Sequence, residues 1–146
     1  MFNLFGSNNS SQKQTLAEFQ NSFNTNQKAA IICISVIVAT CDRPLNPSEE
    51  TNIENTASLL NFSLSNPLLQ ELPQYGSQKL ISILNTLNRS QKEWVLIAIY
   101  ELVHCDGTPV KMEINYSAGI ARDLGFSENQ YLELIQKKTQ ILNRFR

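Results

Sequence analysis

A chain of 146 residues and 16.5 kDa can bury one core of its own and is too short for a multidomain machine. Its 12 Lys+Arg against 13 Asp+Glu leave a net charge of −1 with no long run of like charge, which argues against capture of a nucleic-acid backbone. Hydrophobic residues at 42% and charged residues at 17% describe a folded chain rather than a disordered one.

Residues 1–14 are polar apart from Phe2, Leu4 and Phe5, and predict a flexible tail, with an all-helical domain over 15–146. The opening MFNLFG has no basic n-region and no A-x-A-like cleavage site, so it does not read as a signal peptide. Thr15 is placed to cap a short helix with Leu16, Phe19 and Phe23 on one face. Asn26 is the expected cap of a second helix running through AAIICISVIVAT, although its β-branched residues favour a strand by propensity. Asn46-Pro47 opens a third helix with Ile53, Ala57 and Leu60 at helical spacing. Asn66-Pro67 starts a short helical turn that Pro73 and Gly76 end, and Ser77 opens a helix carrying Leu80, Ile81, Leu84 and Leu87. Ser90-x-x-Glu93 reads as a capping box leading into EWVLIAIYELVHCDG, apolar nearly all round and therefore central. Met112 to Leu124 follows, with Ile114, Ala118, Ala121 and Leu124 expected to face inward and Gly125 at its C′ position. Ser127-x-x-Gln130 opens a final helix carrying Tyr131, Leu134, Ile135, Ile141 and Leu142, its basic end (Lys137, Lys138, Arg144, Arg146) suiting the helix dipole. No period-two pattern lasts long enough to build a sheet, so the predicted fold is all-α with about seven helices. The longest apolar stretches, Ala29–Ala39 and Trp94–Val103, fall short of the roughly 18–20 residues of a membrane span.

Shifting the chain against itself by 64 positions pairs CDRPLNPSEETNIENTASLLNFS, from Cys41, with CDGTPVKMEINYSAGIARDLGFS, from Cys105. Seven of 23 positions are identical, among them Cys41/Cys105, Asp42/Asp106 and Glu49/Glu113. Each copy reads as an apolar helix, an Asp-containing turn and an amphipathic helix beginning near a Glu. The expected arrangement is two helical hairpins about a pseudo-twofold axis, burying the two apolar helices at the centre.

The apolar helix, the acidic turn and the seven-residue step from Asp to Glu, present twice, resemble the TerB-like (tellurite-resistance protein B) family over roughly residues 26–143. The second copy follows the family's Asp-Gly then Glu pattern, whereas the first places Arg43 where Gly is usual. The resemblance implies an all-helical fold with a two-fold repeat, a stress-associated cytoplasmic protein, an acidic divalent-cation site and a role in protein assemblies. No enzymatic activity is established by that resemblance.

The residues support a related chemistry. Asp42 and Asp106 each end an apolar helix, where the negative pole of the dipole disfavours a carboxylate, while Glu49 and Glu113 near the next helix start are placed favourably. If the repeat brings both turns to one end of the bundle, Asp42, Glu49, Asp106 and Glu113 converge as hard oxygen donors of the kind Ca²⁺ or another divalent cation takes. The same turns are also consistent with simple capping, or with docking of a basic partner on an acidic end. Three cysteines, Cys33, Cys41 and Cys105, show no CxxC spacing and suit a reducing, cytoplasmic setting. His104 with Cys105 and Cys41 would supply only three soft ligands to zinc, and a Cys nucleophile using His104 as base lacks any sign of an oxyanion site. No Gly-rich phosphate loop, HExxH or GxSxG occurs. The expected protein is thus a non-enzymatic module that binds a cation and meets other proteins. The alternative is a metal-free interaction domain using the acidic face or the N-terminal tail.

Overall fold

A computed structural model describes residues 15–107 and 109–142; the expected tail over 1–14 and the terminal Arg144 and Arg146 lie outside the described residues. Among the described residues the chain is all helical and holds no strand. Nine α-helices are present there: α1 Leu16–Asn21, α2 Thr25–Ala39, α3 Pro47–Leu59, α4 Leu68–Glu71, α5 Ser77–Leu84, α6 Arg89–Val103, α7 Lys111–Asp123, α8 Glu128–Gln136 and α9 Lys138–Leu142. A 3₁₀ turn, Leu72–Tyr75, joins α4 to α5. None of the described helices is long and apolar enough to cross a membrane.

The helix starts are set by side chains that accept the first free amides. Capping boxes close at Thr15/Glu18, Asn24/Gln27, Asn46/Glu49, Asn88/Gln91 and Ser127/Gln130. Two of these correct the sequence reading. The cap of α2 is Asn24 rather than Asn26, and that of α6 is Asn88 rather than Ser90, which lies with Glu93 inside the first turns. In both cases a polar residue two positions upstream had the extended backbone that a cap requires. Helix α7 has no side-chain cap, because its N-cap is Val110.

α2 and α6 form the centre, and α3, α5, α7 and α9 pack around them. Ala29 to Ser35 of α2 and Trp94 to Ile97 of α6 are buried without interruption, which a helix tolerates only when neighbours cover every side. Burial on all sides is what overrides the strand propensity of IICISVIV. Short α1 folds onto this centre through Phe19, whose ring meets Trp94 edge-on at 4.9 Å and Phe23 at 5.2 Å.

The 64-residue shift found in the sequence also holds in the elements. α2 and α6 begin and end 64 residues apart, as do α3 and α7. Asn61 and Gly125 both take positive φ, and Phe62 and Phe126 donate equivalent backbone bonds to Ala57 and Ala121, each at 2.9 Å. Of the residues expected to face inward on α7, Ala121 and Leu124 are buried, Ala118 is half-buried and one assignment changes. Ile114 is exposed, and Glu113, Ser117 and Ile120 take the buried face of α7 with Ala121. The final helix breaks at Lys137 into α8 and α9; the bend buries Ile141, and Lys138 pairs with Glu101 of α6 at 2.9 Å.

Candidate functional site

The two acidic turns do meet, and Arg43 joins them. α2 ends at Ala39 and α6 at Val103, so Asp42 and Asp106 stand in the connecting turns, three residues beyond the helix ends rather than on them. The dipole penalty expected for these aspartates is correspondingly weaker, since it fades beyond the last turn. The Arg43 guanidinium reaches across from the first turn. Its Nη2 donates to Asp106 Oδ2 at 3.2 Å and lies 3.7 Å from Glu49 Oε2, while Nε lies 4.0 Å from Glu113 Oε2. Asn46 Nδ2 also donates to Asp106 Oδ2 at 3.2 Å. Of the four acids singled out in the sequence, Glu49, Asp106 and Glu113 therefore surround one arginine. Asp42 is exposed at the edge, acting on Arg43 and Glu113 through its charge.

Glu49 and Glu113 occupy equivalent places at the third positions of α3 and α7, and both are buried, at 1% and 0% exposure. Their surroundings differ. Glu49 closes a capping box, with Oε1 accepting from the Asn46 backbone amide at 3.1 Å, so its burial has a structural reason. Glu113 faces an uncapped start, and neither of its carboxylate oxygens has a hydrogen-bond partner. A buried carboxylate without a partner is costly as an anion. Accordingly the Glu113 pKa is raised from 4.5 to about 7, first by burial, then by the charge of Glu49, and by a hydrogen bond to Glu49 that favours the protonated acid; Arg43 opposes the shift. As an anion Glu113 faces only the Arg43 Nε, at 4.0 Å, and protonation relieves its repulsion with Glu49.

Arg43 answers the same field in the opposite sense. Desolvation works against its charge, yet Glu113, Glu49, Asp106 and Asp42 outweigh it and hold the guanidinium pKa above its ordinary value. Three carboxylates around one guanidinium still leave an excess of negative charge in the cluster. Among the described residues, no group of three or more His, Cys, Asp or Glu side chains is arranged to hold a metal ion.

The cysteines flank the cluster without extending it. The Cys41 and Cys105 thiols are both raised in pKa, by burial first and then by the adjacent carboxylates, which disfavours the thiolate needed for zinc binding or nucleophilic attack. Cys33 is buried in α2 and likewise raised by burial. His104 caps α6, its Nδ1 lies 2.9 Å from the Tyr100 carbonyl oxygen, and its ring stacks on Tyr100 at 4.2 Å.

Arg43 is the site residue that sequence reasoning did not count as one. It entered as a departure from a pattern; the available signal was an arginine set directly after a turn aspartate, one repeat away from Gly107. No family model, curated protein or solved structure matches the chain.

Proposed function

We propose that this chain is a non-enzymatic, TerB-like helical module that takes a hard divalent cation, Ca²⁺ foremost, at its acidic turns and serves as a scaffold for other proteins in the stress responses of the cytoplasm. The observation that supports the cation most directly is Glu113: a fully buried carboxylate whose two oxygens accept no hydrogen bond and meet Arg43 only at 4.0 Å, beside a second buried carboxylate. Buried charges are paired or coordinate metals, and one guanidinium does not neutralise this cluster. Glu113, Glu49 and Asp106 are the proposed ligands, with Asp42 entering from the rim; loop carbonyls and water would complete the oxygen shell that Ca²⁺ prefers. The resemblance described above supports the scaffold, stress and cytoplasmic parts of the reading.

A metal-free interaction module is the second reading, favoured by the presence of a built-in cation, Arg43, at the centre of the cluster. Thermal melting separates the two. Chelator-stripped protein is melted alone and with Ca²⁺, Mg²⁺ or Mn²⁺. The cation reading expects a saturable rise, corresponding to about 2.7 kcal/mol at roughly 100 times Kd, that is lost in Glu113→Gln. Identical melting under all conditions removes the cation and leaves the metal-free module.

A further inference from the structure

We infer that Arg43 is a tethered competitor for the cation, so that the arginine bridge and the bound ion exclude one another and Arg43 sets the affinity. This deepens the cation reading and rests on it. The guanidinium stands among the three carboxylates that would ligate the ion, touching acids from both hairpins. A carboxylate lone pair given to Arg43 is withheld from a metal, and two positive groups in contact repel.

The bridge is built to yield. Only the Asp106 contact is a hydrogen bond; the Arg43 Nε is buried and makes none, and Glu113 accepts none from it. Asp106 keeps its Asn46 bond when the arginine leaves. With 37% of its side chain already exposed, Arg43 can swing into water without crossing a core. The exchange is electrostatically favourable as well, because a divalent ion offsets more of the cluster's charge than a guanidinium does. The second turn has no such arm. At the position equivalent to Arg43 stands Gly107, at φ +79° with open space where a β-carbon would sit.

The test is calorimetric titration of full-length wild type, Arg43→Gln and Arg43→Lys with Ca²⁺ and Mn²⁺ after chelator treatment. Removing the charge in Arg43→Gln is expected to tighten binding at least ~10-fold, while Arg43→Lys, which keeps the charge, stays nearer wild type. Equal affinities in wild type and Arg43→Gln would overturn the competition and leave the cation reading standing. Absence of binding in all three proteins would overturn the cation reading itself, and the competition with it. Should Arg43→Gln not fold, the wild type answers alone through the side-chain N–H signal of Arg43 in NMR. Saturating Ca²⁺ is expected to shift that signal and speed its exchange with water; binding of the ion with the Arg43 signal unmoved overturns the proposal.

Discussion

At the scale of single residues, Glu49 and Glu113 show how one position in a repeat acquires two uses. Both are buried near a helix start, where the dipole favours negative charge. The Asn46 backbone amide donates to one of them, whereas the oxygens of the other accept no hydrogen bond, and Val110 before α7 offers no side-chain cap. The folded-state pKa of Glu113, about 7, exceeds its ordinary 4.5, so the folded chain holds this proton more tightly than the unfolded one does. Stability from this group is therefore fully present below the unfolded value and is lost as pH rises through the folded one. Denaturant unfolding is expected to show a loss on the order of 1 kcal/mol between about pH 6 and about pH 8, and Glu113→Gln is expected to flatten it. A stability that rises over that window would show Glu113 to be satisfied as an anion. The four acids were legible in the sequence because they recur at a fixed offset. The counter-charge was not, since an arginine that crosses to another turn leaves no periodic trace.

At the scale of elements, caps and breaks explain most of what the sequence conveyed and most of what it concealed. Ser127/Gln130 and Thr15 were readable because each stands alone before its helix. Asn24 and Asn88 were hidden by Asn26 and by Ser90-x-x-Glu93, which mimic caps a short way downstream. The repeat held the missing signal, for Asn24-x-x-Gln27 and Asn88-x-x-Gln91 are the same motif 64 residues apart. Asn88→Ala removes the side-chain acceptor of the Gln91 amide, while Gln91 keeps its bonds to the residue-88 amide and to the Ser22 carbonyl, the latter at 2.9 Å. A loss of about 1 kcal/mol in urea unfolding is expected. Gly125, at φ +93° with open space where a β-carbon would sit, ends α7 on backbone freedom alone. Gly125→Ala is expected to cost about 1 kcal/mol without any change in packing, measured the same way. The break at Lys137 had no local sign; it is set by what α9 must reach, namely α6 through Ile141 and Lys138.

At the scale of the molecule, two largely apolar helices fix where everything else goes. With α2 and α6 central, each turn that leaves them emerges at the same end of the bundle, and the acidic residues meet there. This much followed from composition and the repeat, because an apolar helix of that length has to be covered on all sides. Ile97, with no exposure at the centre of α6, tests the arrangement: Ile97→Ala is expected to cost about 2–5 kcal/mol in unfolding free energy. A small cost would mean that α6 is not the shared core. What the centre of the fold delivers is a cluster with more negative charge than its own arginine offsets. The most direct measurement is calorimetric titration of chelator-stripped wild type with Ca²⁺, with Glu113→Gln as the control. Saturable binding that the control loses is the expected result, whereas flat heats in the wild type, or equal binding in both, would contradict a cation site centred on Glu113.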